Sequence, residues 1–292
     1  MNPKRVIVWG HKLHNHTHSY IHSSYFKTFL SMGFETHWLD AKDSLGSTSL
    51  DGTLFFCEDQ AKAGLPIRND CYYITHSFNE DVLSDVPRNN IVRLHNFASC
   101  VKVHERIGDL TYYDSKSRSL YQPWATDLLP HEIDEITPRD FNIDEKVCYY
   151  VGSIYNENYN QVRDLIKSCS ESGKSLQLAR FVTDEVHKNL TRKSLIVADM
   201  RGTHHCEVGY MPCRVFKAIS YGVPVIVNSK KIVEELPLPA IGLSENTVET
   251  LIRGIHHEST VSKSQVTESM AHIRNNHTFV NRISNLLGVL FS

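Results

Sequence analysis

The sequence predicts an α/β protein built from two parallel-sheet halves. An apolar strand, a loop or turn, an amphipathic helix and a second strand follow one another twice, starting near residues 5 and 147. This order is typical of parallel sheets, in which a helix connects neighbouring strands. The length of 292 residues suits one large or two ordinary domains and provides enough chain for a real core.

The first half begins with a short apolar strand, RVIVW (residues 5–9), and a polar loop follows it. The next segment, YIHSSYFKTFLSMGF, is predicted to form a helix that ends at Gly33, and ETHWLD resumes as a strand. Apolar runs that alternate with polar segments predict further strands over residues 53–59, 71–78, 91–97 and 110–115.

The second half follows a stretch with three prolines and mostly acidic charge, residues 122–144, which is interpreted as the connection between the halves. The strand–helix–strand order then returns, and two such halves are expected to bind ligands beyond the carboxyl ends of their strands. The predicted elements are the strand KVCYYVGSI, the helix QVRDLIKSCSESG, the strands SLQLARF and SLIVADM, and a final helix, HTFVNRISNLLGVLF.

Composition excludes several classes of function. The net charge is -2, so no broad attraction to nucleic acid or to an anionic membrane is expected. The seven cysteines are odd in number and scattered, which indicates reduced thiols and neither a disulfide framework nor a zinc finger. No apolar stretch approaches the roughly 18 residues of a membrane span, and the first apolar run is too short for a signal peptide. We therefore expect a soluble, cytoplasmic protein.

The segment YMPCRVFKAISYGVPVIVNS (210–229) is the most informative part of the chain. Pro212 suits the first turn of a helix, because its missing N–H costs nothing there. Gly222 is predicted to end the helix, and VPVIV follows as a buried strand. Three apolar residues at helical spacing form the predicted buried stripe: Val215, Ala218 and Ile219.

Two basic residues, Arg214 and Lys217, share another face of this helix near its start, and Tyr221 lies one turn further along. Cations beside the positive end of a helix predict an anion site, and a nucleotide diphosphate is the anion that we expect. The alternative is a solvated basic face, which charge spacing alone would favour. The order of proline, basic pair, glycine and β-branched strand favours the anion site.

This order resembles the C-terminal domain of nucleotide-sugar glycosyltransferases with the GT-B fold. The resemblance implies two Rossmann-like domains that face each other across a cleft. It implies an acceptor-binding domain over residues 1–125, a nucleotide-sugar-binding domain over 126–270, and a C-terminal helix, 271–292, that packs back toward the first domain. Many retaining members carry an acidic residue where Lys217 stands, so this chain departs from their pattern and an inverting reaction is favoured.

Three segments, VIVWGHKLHNHTHSYIHSSYFKTF, DCYYITHSF and GYMPCRVFKAISYG, are similar to a narrower group. They resemble small glycosyltransferases encoded by large algal viruses (chloroviruses), and in particular the xylosyltransferases of capsid glycans. The resemblance implies a UDP-xylose donor, a fucose-containing glycan acceptor, inversion to a β-xyloside, and a location in the host cytoplasm.

Further donor-binding residues are predicted from position. Gly152 and Ser153 end the first strand of the second half, where small residues let a backbone approach a phosphate or simply form a tight turn. His205 and Glu207 precede the 210–229 segment and are expected at the same site, whereas Asp199 fits a structural role equally well. No D-x-D pair demands a divalent cation, so neither a metal nor a cofactor is predicted.

The loop after the first strand, HKLHNHTHSYIH, is rich in histidine, and most of these residues are expected to be polar loop residues. The alternation of His14, His16 and His18 would suit a transition metal, but no acidic or thiolate cluster has recognisable ligand spacing. Imidazole, with a pKa near about 6.5, also suits a general base for an acceptor hydroxyl. We predict His16 in this role, with His14 and His18 as the alternatives.

The remaining predictions concern the acceptor and the rival functions. His11, Thr75 and His76 are predicted on the acceptor side, and Asp81 or Asp114 would orient the base. The predicted activity is metal-independent transfer of a sugar, xylose in the narrowest form, to a glycan hydroxyl. The alternatives are a GT-B nucleotide-sugar epimerase, which needs no acceptor, and a nucleotide- or glycan-binding protein without catalysis. A histidine-cluster metalloenzyme is the last alternative.

Overall fold

The chain folds into two compact units. The first contains Met1–Asp127 together with Phe279–Ser292, and the second contains Leu128–Thr278. The C-terminal segment therefore belongs to the same unit as the N-terminal strands. The computed structural model describes residues 3–12, 17–46, 49–77, 80–102, 105–138, 147–171, 173–244 and 261–292.

The first unit is built on one large sheet, in the order β2-β1-β3-β4-β5-β8-β7-β6. Neighbours from β2 to β8 along this order are parallel, and β7 and β6 extend the sheet in antiparallel fashion. The described strands are β1 (Arg5–Trp9), β2 (Glu35–Leu39), β3 (Leu54–Glu58), β4 (Tyr72–His76), β5 (Ile91–His95), β6 (Glu105–Gly108), β7 (Thr111–Asp114) and β8 (Ser119–Tyr121).

The second unit contains two parallel groups of strands. One pairs β9 (Val147–Val151) with β10 (Ser175–Ala179), and the other has the order β11 (Val197–Asp199), β12 (Val225–Val227), β13 (Ile241–Leu243). The Leu195 N–H donates to Val147 O at 3.4 Å, which brings the groups side by side. The described helices of both units are α1 (Thr17–Ser31), α2 (Pro130–Asp134), α3 (Tyr159–Glu171), α4 (Asp184–Lys193), α5 (Thr203–Glu207), α6 (Cys213–Ser220), α7 (Lys230–Glu235), α8 (Lys263–Asn276) and α9 (Phe279–Leu290).

The central strands of the first sheet are buried on both faces. All five residues of β3 are buried, and consecutive aromatic residues point to opposite sides. Phe55 stacks on Tyr73 with ring centroids 5.4 Å apart, whereas Phe56 stacks on Tyr25 of α1 at 3.9 Å. Phe279 of α9 then meets Tyr25 edge-on at 4.8 Å. Burial by helices explains why these strands are continuous apolar runs in the sequence.

Helix α6 confirms the main secondary-structure prediction of the 210–229 segment. Its predicted stripe is buried, and the helix ends where Gly222 adopts a φ of 80°. Val223 N–H donates to Ala218 O at 3.0 Å and Gly222 N–H to Ile219 O at 2.9 Å, which satisfies carbonyls of the last turn. One detail differs: Pro212 caps the helix from the position before its first turn.

The stretch over 122–144, interpreted as the connection between the halves, contains the boundary between the two units, after Asp127. It contains α2, and Asp134 at the end of that helix pairs with Arg274 of α8 through two bonds of 2.7 and 2.9 Å. Helix α4 was not predicted because DEVHKNLTRK is polar on most faces and buries only Thr191. Among the described helices, none combines the length and the apolar character needed to cross a bilayer. All seven cysteines are free thiols.

Arg282 fastens α9 to the rest of the first unit. Its side chain is fully buried, Nε donates to Pro123 O at 3.0 Å, and Nη1 donates to Asp109 O at 3.3 Å. Burial lowers the pKa of the guanidinium to about 10, so it remains charged at neutral pH. Both carbonyls belong to segments that are far from Arg282 in sequence. One charged side chain therefore connects α9 with the segments around Asp109 and Pro123.

We predict that Arg282→Ala lowers the free energy of unfolding by about 3 kcal/mol, because it leaves a cavity and removes the donor from two carbonyls. Urea unfolding followed by tryptophan fluorescence measures this effect. Arg106→Ala is the matched control, since Arg106 is exposed and pairs with Asp109 at the surface. Equal unfolding midpoints for the two variants would contradict the assigned role of Arg282.

Candidate functional site

The second unit carries two arginines around one buried carboxylate. Asp199 ends β11 and is fully buried, and its Oδ1 accepts from Arg201 Nη2 at 2.7 Å and from Arg214 Nη1 at 2.9 Å. Asp199 Oδ2 also accepts from Arg201 Nε at 3.0 Å. Two positive charges therefore share a single negative one. We call Asp199, Arg201 and Arg214 the guanidinium cluster.

Neighbouring groups hold Arg214 in a defined position. Its Nη1 also donates to the Tyr150 hydroxyl at 3.2 Å, and its Nε donates to Val151 O at 3.1 Å. The guanidinium lies over the Tyr150 ring, 4.5 Å from the centroid. Asn158 supports this arrangement, because its Nδ2 donates to the same hydroxyl at 3.2 Å. The strand end of β9 thus orients a cation that α6 supplies.

Arg201 is held from another direction. Its backbone exchanges two hydrogen bonds with the Asn228 side chain, at 2.9 and 2.7 Å, and its guanidinium lies 5.3 Å from the Tyr210 ring centroid. Burial alone would lower the pKa of Arg201, but the Asp199 carboxylate outweighs burial and raises it. Two guanidinium groups therefore face one carboxylate, and the cluster keeps one positive charge that Asp199 does not balance. An anion with several oxygens matches such a cluster.

Gly152 lies directly against the guanidinium cluster. Its φ of 149° is in the region that favours glycine, and a Cβ at this position would clash with the Arg214 guanidinium. Gly152 N–H donates to Ala179 O at 2.9 Å, so the turn continues the pairing of β9 with β10. Gly152 therefore lies beside arginine, a side chain that commonly binds phosphate. Ser153 follows it in the chain and is partly exposed.

Lys217 is close to the cluster in sequence, but it forms a separate ion pair. The residue is 4% exposed, and its Nζ donates to Asp184 Oδ1 of α4 at 3.0 Å. Tyr221 is also buried, with its ring edge-on to His187 at 6.0 Å. The alternative of a solvated basic face is wrong, because Arg214 and Lys217 are both largely buried and paired with carboxylates.

The other predicted donor residues lie on or beside α5. His205 Nδ1 is 3.7 Å from Glu157 Oε2, and burial followed by the charge of Arg201 lowers the pKa of this imidazole. Glu207 is exposed at the end of the helix. Asp199, and not Glu207, is the carboxylate that contacts the two arginines. The predicted contacts of Gly152, Ser153, His205 and Glu207 with a donor stay predictions.

A second candidate site lies in the first unit, at the carboxyl ends of three neighbouring strands. His11 follows β1, Glu58 ends β3 and His76 ends β4, and the strand register pairs Glu58 with His76. His11 Nε2 lies 2.9 Å from Glu58 Oε2, and both side chains are buried. His11 adopts a φ of 61°, a left-handed conformation that is uncommon outside glycine. We call these residues, with His18 and His22, the histidine cluster.

Helix α1 adds two imidazoles, one turn apart, to this cluster. The His11 ring centroid is 5.1 Å from that of His18 and 4.9 Å from that of His22, and His18 lies 5.4 Å from His76. Burial lowers the pKa of His18, lowers that of His22 further, and lowers that of His76 to about 4. At neutral pH these three imidazoles are therefore neutral, which is the form of histidine that binds a metal ion.

Glu58 is the residue of this cluster that sequence reasoning missed. Burial opposes its ionisation, but the hydrogen bond with His11 and nearby imidazoles hold the pKa of the carboxyl below its usual value. The backbone N–H of Gln60 also donates to Glu58 Oε2 at 2.9 Å. A signal was available: Glu58 is the last residue of a strand next to β1, so it reaches the sheet edge where His11 lies.

The remaining predicted residues of the first unit have mixed outcomes. His14 and His16 lie outside the described residues, as does the side chain of Asp81. Asp114, the other acid expected to orient the base, instead accepts from Lys116 N–H at 3.0 Å and from Ser117 Oγ at 2.8 Å in its own turn. The predicted acceptor-side residues Thr75 and His76 are buried at the end of β4, and the His76 ring meets that of Trp124 at 4.9 Å.

Comparisons with known proteins place the fold. No protein-family model matches the chain. No curated protein matches it either. Two solved structures described as an alpha-glucosyltransferase in complex with UDP and a 13-mer DNA are similar. The first has a TM-score of 0.61, 6% sequence identity and coverage of 99% of this chain and 100% of the other. The second has a TM-score of 0.53, 8% identity and coverage of 98% and 100%.

These likenesses show the fold alone, because the identities are far below those of close relatives. The predicted mixed α/β fold with mainly parallel strands is confirmed over nearly the whole chain. The predicted cleft between two facing domains stays a prediction, as do the residue roles assigned from the sequence.

We predict that Gly152→Ala lowers the free energy of unfolding by about 2 kcal/mol, because the new Cβ displaces Arg214 and strains the backbone. Urea unfolding measures the change. Gly173→Ala is the control, since Gly173 also has a positive φ, 69°, but has no atom within 4 Å of the new Cβ. The same loss in both variants would mean that backbone strain alone acts, and that Gly152 makes no specific room for Arg214.

Proposed function

We propose that this protein is a glycosyltransferase that uses a nucleotide diphosphate sugar as its donor. The observation that carries the proposal is the guanidinium cluster, in which two partly buried arginines exceed their shared carboxylate by one charge. A diphosphate carries negative charge on several oxygens, and the planar donor array of arginine fits such groups. The fold supports the proposal, because the similar alpha-glucosyltransferase was solved with UDP bound.

In the proposed donor site, the guanidinium cluster neutralises the diphosphate as it becomes the leaving group. Negative charge grows on this group when the bond to the sugar breaks, and fixed cations in a partly buried site stabilise that charge. The backbone of Gly152 and Ser153 would lie beside the diphosphate, next to Arg214. His205 and Glu207 would contact the sugar. Arginine side chains then perform the task that a divalent cation performs in other transferases.

Lys217 can contact the donor only if its ammonium group leaves the ion pair with Asp184. Its Nζ is held by Asp184, whose side chain is 40% exposed while that of Lys217 is 5% exposed. A diphosphate that reaches the Lys217 ammonium must therefore compete with the Asp184 carboxylate. Such an exchange would couple donor binding to α4, the helix that carries Asp184 at its start.

The acceptor would bind in the first unit, near the histidine cluster. A histidine after β1 removes the proton from the acceptor hydroxyl, and His16, His14 and His18 are the candidates. Burial lowers the pKa of His18, which keeps this imidazole in the neutral, proton-accepting form at neutral pH. His11, Thr75 and His76 would line the acceptor side, and Glu58 would position His11. Xylose transfer from UDP-xylose to fucose, with inversion, is the narrowest form of the proposal, and the resemblance to chlorovirus enzymes is its support.

Nucleic acid is a second candidate acceptor. The similar alpha-glucosyltransferase structures contain a 13-mer DNA, and one of these duplexes carries an HMU base. The net charge of -2 argues against broad attraction to a polyanion, so a glycan acceptor is preferred. Glycan and DNA acceptors are therefore compared in the same transfer assay.

Donor binding is the first test of the proposal. We expect UDP-xylose to bind in calorimetry with EDTA present, more tightly than UDP-glucose or GDP-sugars. Arg214→Lys should weaken this binding by about tenfold, because it removes a planar pair of donors worth roughly 1.5 kcal/mol. Arg163→Lys is the control, since Arg163 is an exposed residue of the same unit. Equal affinities of the two variants, or no binding of any nucleotide sugar, would refute the proposed donor site.

The same titration tests the exchange at Lys217. Lys217→Ala should weaken donor binding through loss of a phosphate contact, whereas Asp184→Asn should strengthen binding because the competing carboxylate is gone. Asp164→Asn, a change at an exposed carboxylate, serves as the control. If Asp184→Asn leaves the affinity at the wild-type value, Lys217 keeps its ion pair and is not a donor contact.

Product analysis distinguishes transfer from the alternatives. We expect a xylosylated product from UDP-xylose and a fucoside, and no sugar change without an acceptor. His16→Ala should lower the rate with nearly unchanged donor affinity, because a base acts on the acceptor. Product without an acceptor would indicate an epimerase, and labelled DNA would indicate a nucleic-acid acceptor. Donor binding without turnover on any acceptor would indicate a binding protein.

A further inference from the structure

We propose that His11, His18 and Glu58 form a binding site for a divalent transition metal ion in the first unit. One ligand atom from each residue lies within 4.8 Å of the other two. Two imidazole nitrogens and one carboxylate oxygen are a ligand set that zinc and iron sites use in proteins. The three residues come from the loop after β1, the first turn of α1 and the end of β3, so the fold itself brings them together.

The three ligand atoms are close enough for a metal site once the side chains adjust. Nitrogen and oxygen ligands at about 2.0–2.2 Å from a zinc ion lie about 3.3 to 3.6 Å from one another in tetrahedral geometry. His11 Nε2 and Glu58 Oε2 are 2.9 Å apart, so these two atoms would separate by roughly 0.5 Å to hold the ion. A metal ion would replace the proton between these atoms. The ligand atom of His18 lies within 4.8 Å of the other two, so it must move closer to them to complete the set.

The surroundings hold the proposed ligands in place. The Gln60 backbone N–H donates to Glu58 Oε2 at 2.9 Å and orients the carboxylate. His11 keeps a φ of 61°, a conformation that costs energy for a residue with a side chain, and this backbone directs its ring to Glu58. The His22 ring packs against that of His11, and the His76 ring packs against that of His18.

The chemistry of the ligands selects the class of ion. Magnesium and calcium prefer oxygen ligands, so a set with two imidazoles favours zinc or a similar divalent transition metal. Three protein ligands leave a coordination position for water or for a hydroxyl group, as in catalytic zinc sites. The inference is independent of the proposed donor site, and a metal bound to His18 removes that residue from the candidate bases.

Metal titration of the full-length chain tests the inference. After removal of metals with a chelator and desalting, Co²⁺ is added and its visible absorption is recorded, and Zn²⁺ is then added as a competitor. We expect one equivalent of Co²⁺ to bind and Zn²⁺ to displace it. Glu58→Gln and His18→Ala should each weaken binding by about tenfold or more, because each removes a ligand.

His37→Ala is the matched control. His37 also pairs with a carboxylate, Glu35, at 3.2 Å, but both side chains are about half exposed on β2. Binding in this variant should equal that of the wild type. His18→Ala keeps the experiment decisive if Glu58→Gln fails to fold, because His18 is only half-buried.

Two results would overturn the inference. One is the lack of saturable Co²⁺ binding to the wild-type chain, and the other is unchanged affinity in Glu58→Gln or His18→Ala. Binding of UDP-xylose to the same samples is measured in parallel, in EDTA. A protein that binds UDP-xylose but no metal retains the proposed function and loses only this site.

Discussion

The bond between Asp199 and two arginines is the interaction on which the second unit depends. Burying a carboxylate is costly unless cations and hydrogen bonds compensate it, and Arg201 and Arg214 provide both. Neighbouring residues hold Arg214 in place, because the Tyr150 ring lies under its guanidinium and the absence of a side chain at Gly152 leaves room for it. A buried ion pair with equal charges would be a purely structural device. The second arginine changes this, since it adds a positive charge that Asp199 does not balance.

Parallel strands explain why chemistry collects at one edge of each sheet. Neighbouring parallel strands end on the same side, so residues that follow them meet even when they are far apart in sequence. His11 and Glu58 are 47 positions apart, and Arg214 and Tyr150 are 64 positions apart, yet each pair is in hydrogen-bond contact. The two candidate sites obey this one rule, although one is built from neutral imidazoles around a carboxylate and the other from guanidinium groups.

The sequence predicted the elements that have a strong local pattern. The apolar strands β1, β3 and β4 and the helix α6 carry enough periodicity to be recognised without tertiary information. Helix α4 has few apolar residues, and Glu58 was missed because its importance comes from His11, which follows the neighbouring strand. Arg214 was found through its local motif, but its carboxylate partner Asp199 was regarded as equally structural. Pairing across a sheet is tertiary information, which spacing along a chain does not contain.

The histidine cluster shows why a buried carboxylate here calls for a functional explanation. Glu58 ionises in a buried place, and His11 adopts a left-handed backbone beside it, so two unfavourable features occur at one point of the sheet. An apolar pair of similar volume would avoid the cost of the buried carboxylate. The hydrogen bond between His11 and Glu58 offsets part of the cost of burying the carboxylate. Contacts with His18, His22 and Gln60 offset more of it. What the arrangement provides beyond stability is a set of oriented, neutral imidazoles next to a negative charge. Such a set can bind a metal ion through the nitrogen lone pairs of the imidazoles and the carboxylate oxygen.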